Sequence, residues 1–89
     1  MKNNLPFEEE WISEKTSSRV FSESLEEDEL KWHFDEEDRI IECVGETDWL
    51  FQFDDCLPQK IEGKIEIRKG VWHRLIKGEG DLKLLITRK

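Results

Sequence analysis

The chain has 89 residues, a formal net charge of −8 and 36% hydrophobic residues. A chain this short buries only about 60–65% of its extended surface, so we expect one compact core and exclude a large multilayer enzyme fold. Four Trp and five Phe supply bulky core material, since each such ring buries roughly 150–250 Å².

The charge is unevenly placed, because the first 57 residues are acidic and the basic residues concentrate in the last third. An acidic surface repels phosphate backbones, so nucleic-acid binding is disfavoured. No apolar run reaches the ~18 residues of a membrane span and no hydrophobic signal core follows the first methionine, so we expect a cytoplasmic protein. Cys43 and Cys56 lack CxxC spacing, which argues against a disulfide framework or a structural zinc site.

Residues 1–29 are weakly patterned and predict an N-terminal arm with one possible edge strand at 19–21. The acidic run 8–10 is interpreted as a turn. Aromatic and aliphatic side chains beside it either tether the arm to the rest of the domain or meet a partner, and we favour the tether. These side chains are Phe7, Trp11 and Ile12.

From Leu30 onward, short apolar or alternating runs are separated by Gly and Asp residues suited to turns. The runs cover 30–34, 39–44, 49–53, 58–61, 64–67, 71–76 and 82–87. This spacing is typical of a β-meander or an antiparallel β-barrel and not of βαβ units. We therefore predict an all-β domain over residues 30–89.

The two histidines of the chain fall where they could face one ion. His33 and Asp35 lie on one face of a predicted strand because alternate residues point the same way. His73 is in register with Val71 and Leu75, on the face that a closed sheet turns inward. Imidazole and carboxylate together suit Fe(II), Mn(II), Zn(II) or Ni(II).

Two degenerate motifs in residues 30–88 resemble those of the cupin superfamily. In the first, His33-x-Asp35 is followed by Asp38 and, after six residues, Gly45. An Asp thus stands where that family has its second His.

The second motif of the family, Gly, a short strand and then Pro-x-Gly-x-x-His, is matched by Gly63 through Gly70 to His73. Arg68 stands where Pro is usual, and the spacing from Gly63 is one residue short.

The resemblance implies a small cupin-like double-stranded β-helix, or antiparallel β-barrel, with a divalent metal (Fe, Mn, Ni or Zn) at its mouth. It makes the candidate ligands His33, Asp35, Asp38 and His73. The order His-x-Asp followed by a distant His is also the outline of the 2-His-1-carboxylate facial triad of Fe(II) oxygenases, which have a related fold.

Two questions about the barrel interior stay open in the sequence. If Asp38 points inward, simple alternation also turns Glu42 inward; if a bulge shifts the register, Ile41 and Cys43 face the core instead, which we slightly prefer. The alternating rings after residue 48 either fill the barrel or line a ligand pocket, and filling is favoured. The candidate pocket residues are Trp49, Phe51, Phe53 and Glu42.

Two functions fit these observations. The first is a small metal-binding cupin that binds or acts on a small polar ligand, its reaction undefined. The alternative is a non-catalytic protein-interaction module. Exposure of Trp11, Trp32 or Trp72 would favour it. The chain also resembles short cupin-like proteins of bacteria and tailed phages. One form of the protein-interaction alternative is therefore a phage-encoded acidic protein that binds a host factor. Unpaired edge strands on so small a sheet also favour a homodimer.

Overall fold

Short β-strands dominate the structure, a computed structural model that describes residues 6–89. Residues 1–5, the start of the predicted arm, lie outside the described residues. The strands are β1 Glu8–Trp11, β2 Thr16–Phe21, β3 Arg39–Cys43, β4 Leu50–Phe53, β5 Gln59–Lys60, β6 Lys64–Ile67, β7 His73–Ile76 and β8 Leu82–Arg88. One turn of 3₁₀ helix spans Glu27–Glu29. No helix in this part of the chain has the length and apolar character needed to cross a membrane.

The strands form two antiparallel sheets. The larger has the order β1-β2-β8-β3-β6 and the smaller the order β5-β4-β7. The final strand β8 therefore lies between β2 and β3, so strands distant in sequence become neighbours. The prediction of an all-β architecture is confirmed.

The core lies between the two sheets and follows the two-residue period of the strands. On β8, Leu82, Leu84 and Ile86 are buried whereas the residues between them are exposed or half-buried. Opposite them, the small sheet contributes Phe51 and, just before β4, Trp49, both almost fully buried. Burial of each such side chain stabilises the fold by about 1.5–3 kcal/mol.

The N-terminal segment supplies two strands to the larger sheet. The acidic run predicted as a turn is β1, and the strand predicted at 19–21 extends over Thr16–Phe21 as β2, between β1 and β8. Phe7 packs against the core, as a tether would. Ile12 is exposed, and Trp11, which is half-exposed, lies beneath the guanidinium of Arg88 at 4.3 Å from its ring centroid.

Strand β3 settles the register question. Ile41 is buried and Cys43 packs against the core, as the preferred alternative predicted. The predicted bulge is wrong, since β3 pairs residue by residue with β6 and β8. None is needed because Asp38 does not point inward: its Oδ1 accepts a hydrogen bond from the backbone N–H of Lys69.

The run 30–34 does not form a strand. Only His33 pairs, through an isolated antiparallel bridge to His73. The flanking Trp32 and Phe34 are consequently on the outside and exposed.

Candidate metal centre

His33, Asp35 and His73 converge at one end of the cavity between the sheets. One ligand atom from each lies within 4.8 Å of the others. The isolated bridge brings the histidines together: the N–H of His33 donates to the carbonyl of His73 at 3.0 Å, and the reverse bond is 2.8 Å. Their rings meet edge to face, with centroids 4.3 Å apart. The convergence predicted from the spacing is thus observed.

Backbone carbonyls fix the orientation of both imidazoles. Nδ1 of His73 lies 2.8 Å from the carbonyl oxygen of Val71, and Nδ1 of His33 lies 3.1 Å from that of Lys31. A carbonyl oxygen can only accept, so each Nδ1 carries the proton and donates. In the neutral rings Nε2 then has a free lone pair, the usual preparation of a metal-binding histidine.

The contact between His73 and Asp35 needs a cation. Nε2 of His73 lies 3.3 Å from Oδ2 of Asp35, and both side chains are nearly inaccessible to solvent. With its proton on Nδ1, a neutral His73 presents a lone pair to a carboxylate, which is repulsive. Either a second proton on the ring or a metal ion between the two atoms resolves this contact. The donor set therefore fits a divalent metal ion.

His73 and Arg39 together keep Asp35 in its charged form. Nη1 of Arg39 lies 3.2 Å from Oδ1 of Asp35. Burial alone would raise the pKa of Asp35, but the contact with His73 and the charge of Arg39 outweigh it, so the pKa lies below its usual value. The carboxylate is therefore ionised at neutral pH and able to act as a ligand.

His33 is held in its neutral form. Although part of the residue is exposed, its ring faces the cavity, and loss of solvation lowers its pKa; the neighbouring His73 lowers it further. A neutral ring requires no proton release before it binds a metal.

The centre opens into a cavity of about 360 Å³, within the range of small-molecule sites. Its walls are mainly apolar, and its polar lining includes the His/Asp/His group with Arg19 and Arg39. The apolar lining includes Phe21, Ile41, Phe51, Leu75, Leu84 and Ile86. Phe51 also stacks on the His73 ring at a centroid distance of 5.5 Å, which limits rotation of that ring.

The other predicted site residues lie elsewhere. Asp38 is not part of the His/Asp/His group and contacts the backbone of Lys69. Among the predicted pocket residues, Phe51 lines the cavity, whereas Trp49, Phe53 and Glu42 do not. Trp49 fills the core and donates Nε1–H to the carbonyl of Gly80.

Glu42 lies on β3 between the inward-facing Ile41 and Cys43, so alternation turns it away from the cavity. Among the cavity residues that sequence reasoning missed are Arg19 and Arg39. Strand alternation could have identified both, because residues two apart share a face: Arg19 is two residues from the buried Phe21, and Arg39 is two residues from Ile41.

Solved structures with similar architecture include proteins described as cupins. An RmlC-like cupin with a double-stranded β-helix fold from Methanocaldococcus jannaschii superposes with a TM-score of 0.67 and 10% identity, covering 99% of this chain and 84% of that one. A cupin-2 domain protein from Shewanella frigidimarina gives a TM-score of 0.64 and 16% identity, with coverage of 100% and 85%. Fe(II) HppE gives a TM-score of 0.61 and 15% identity; the match covers 83% of this chain but only 41% of HppE.

No protein-family model matches the sequence, and no curated protein matches it. The structural similarity nevertheless confirms the resemblance at the level of fold: the chain adopts the double-stranded β-helix of the cupins.

Proposed function

We propose that this domain binds one divalent transition-metal ion through His33, Asp35 and His73 and receives a small ligand in the adjoining cavity. The observation that carries the proposal is the convergence of the three residues, each of which offers one ligand atom within 4.8 Å of the others. Two imidazoles and a carboxylate suit Fe(II), Mn(II), Ni(II) or Zn(II). The similarity to a protein described as Fe(II) HppE is consistent with iron among these.

The bound ion would supply Lewis acidity or a site for dioxygen. The chain's own residues prepare the site for it. Val71 and Lys31 hold the two Nδ1 protons, so both Nε2 atoms stay available. His73 and Arg39 keep Asp35 ionised, and the apolar walls leave room for a ligand with an apolar part.

The metal content of the purified, untagged protein tests this proposal. We expect close to one equivalent of Fe, Mn, Ni or Zn per chain by elemental analysis, and its loss in a His33→Ala/His73→Ala double variant. Asp38→Asn is the matched control, because Asp38 was nominated by the sequence motif but lies outside the His/Asp/His group; this variant should retain the metal. Absence of metal after anaerobic reconstitution, or retention in a folded double variant, contradicts the proposal.

One surface favours the alternative role as a protein-interaction module. Trp32, Phe34 and Trp72 are exposed. They flank the bridge between His33 and His73, whose rings line the cavity, so alternation turns the three side chains to the opposite side. Phe34 and Trp72 pack edge to face at 5.0 Å, and Arg74 lies over Trp32 at 4.6 Å. Clustered exposed aromatic rings with an Arg are characteristic of interface anchors. A partner captured by the wild type and lost from a Trp32→Ser/Trp72→Ser variant with intact metal content would support this role.

A further inference from the structure

Three arginines share the inward face of the larger sheet. Arg19 on β2 alternates with the buried Ser17 and Phe21, Arg39 on β3 is two residues from Ile41, and Arg88 on β8 is two residues from Ile86. Three guanidinium groups therefore lie inside the barrel of a protein whose overall charge is negative, and three carboxylates pair with them.

One carboxylate oxygen serves two of these arginines. Oε2 of Glu9 accepts from Nε of Arg19 at 2.8 Å, from Nη2 of Arg88 at 3.0 Å and from Oγ of Ser17 at 2.6 Å. Arg39 is occupied separately, by Asp35 and Glu37. Arg19 and Arg88 thus bring two positive charges to one negative charge.

Arg19 has hydrogen-bond donors to spare. In residues 6–89 the side chain of Arg19 forms its hydrogen bond through Nε, and its two terminal nitrogens have no acceptor among these residues. No buried side-chain nitrogen or oxygen in this part of the chain lacks a partner, so these nitrogens are reachable by solvent or ligand. Arg19 lines the cavity.

Phe7 and Glu9 fix the position of this guanidinium. The carbon Cζ of Arg19 lies 4.0 Å from the ring centroid of Phe7, and Glu9 anchors Nε. A planar, pre-positioned pair of N–H groups matches the two oxygens of a carboxylate. Two further charged residues of the cavity lining, Glu29 and Lys31, carry opposite charges.

We propose that the cavity selects a small organic carboxylate with an apolar body, its carboxylate held by the terminal nitrogens of Arg19 and its body against Phe21, Phe51 and Leu84. The inference names the ligand class of the cavity described above and so rests on the proposed function. An apolar body follows from the aliphatic and aromatic walls, and the volume of about 360 Å³ limits it to a small molecule.

Three isosteric probes test the charge preference: benzoate, neutral benzamide and cationic benzamidine. Their dissociation constants are measured by NMR titration of protein stripped of metal with EDTA, so that a metal cannot supply the preference. We expect benzoate to bind at least about tenfold more tightly than benzamide, as a charge-assisted hydrogen-bonded pair would give, and benzamidine to bind most weakly. Acetate, which lacks the apolar body, should bind more weakly than benzoate.

Arg19→Gln should abolish the preference of benzoate over benzamide. Arg68→Gln, at an arginine that is largely exposed outside the cavity, should leave it unchanged. If Arg19→Gln does not fold, Arg19→Lys retains the charge without the planar fork and should reduce the preference. Equal binding of benzoate and benzamide by the wild type, or an undiminished preference in a folded Arg19 variant, overturns the inference.

A parallel Zn²⁺ titration separates the two proposals. A protein that prefers benzoate but binds no Zn²⁺ retains this inference and loses the metal centre. A protein that binds Zn²⁺ at one equivalent but shows no charge preference retains the metal centre and loses this inference.

Discussion

Asp35 contacts His73, Arg39 and the turn at Gly70. Its carboxylate faces His73 on one oxygen and Arg39 on the other, and its backbone carbonyl accepts the N–H of Gly70. Period-two alternation was sufficient to predict that His33 and Asp35 share a face. It could not reveal the partnership with Arg39, because that contact depends on where the chain turns between residues 35 and 39.

Glu9 also has charged partners that the sequence pattern did not reveal. In the sequence it is one of three consecutive glutamates, whereas in the structure it alone of the three turns inward, toward Arg19 and Arg88. Burial by itself raises the pKa of Glu9, but the hydrogen bonds from Ser17, Arg19 and Arg88 and the charge of Arg19 lower it below its usual value.

We predict that Glu9→Gln lowers the free energy of unfolding by about 1–3 kcal/mol at pH 7, since charge-assisted bonds to the arginines are lost. Because the pKa of Glu9 is depressed in the folded state, its contribution is complete above the usual Glu pKa and is lost as pH falls through the folded value. Urea unfolding from pH 7 to pH 3 should therefore show the difference between wild type and variant shrinking in acid.

The matched controls for this prediction are Glu8→Gln and Glu10→Gln, whose side chains on the same strand are exposed. They should change stability by at most about 0.5 kcal/mol. A Glu9→Gln effect that is equal to theirs, or that is independent of pH, would contradict this assignment.

At the scale of elements, alternation predicted the strands that belong to the core. The predicted runs 39–44, 64–67 and 82–87 agree closely with β3, β6 and β8. The run 30–34 does not form a strand because only one of its residues, His33, has a backbone pairing partner. Strand β1 was missed because its inward charge is neutralised by arginines from β2 and β8, which no local pattern discloses.

The turn before β7 aims His73 at the site. Gly70 has a φ of +81° and donates its N–H to the carbonyl of Asp35 at 2.8 Å. A side chain at this position would be strained in the left-handed region by about 1–2 kcal/mol. If the backbone shifted to relieve that strain, the hydrogen bond from residue 70 to the Asp35 carbonyl and the start of β7 would both be displaced.

We predict that Gly70→Ala lowers both the stability and the metal affinity of the domain. Gly63→Ala is the matched control, because Gly63 also has a positive φ (62°) and open space around its Cβ position but lies in the turn before β6. It should lose a similar amount of stability and keep its metal affinity. Thermal unfolding and Zn²⁺ titration of both variants measure the two quantities, and equal metal affinities in the two variants would refute a role for the Gly70 turn in aiming His73.

At the scale of the whole molecule, the fold class was predictable because short strands and Gly/Asp turns recur from residue 30 to the end. The degenerate motifs also located the three residues that the structure brings together. The sequence could not separate these from Asp38, whose contact with Lys69 is made across 31 positions of the chain. The cavity itself was inaccessible to sequence reasoning, since its volume depends on how two sheets pack.

Inward-facing arginines are a feature of this acidic protein, and Glu9, Asp35 and Glu37 pair with them. The chain carries a net charge of −8, yet Arg19, Arg39 and Arg88 face inward. A divalent ion at the His/Asp/His group would add positive charge to the cavity, so the two proposals reinforce each other for an anionic ligand.

The position of a bound metal tests the central claim most directly. A crystal grown anaerobically with Mn²⁺ or Zn²⁺ should show an anomalous-scattering peak about 2.0–2.3 Å from Nε2 of His33, Nε2 of His73 and a carboxylate oxygen of Asp35. A peak elsewhere, or no peak at this group at saturating metal, would contradict the assignment of these residues as a metal centre.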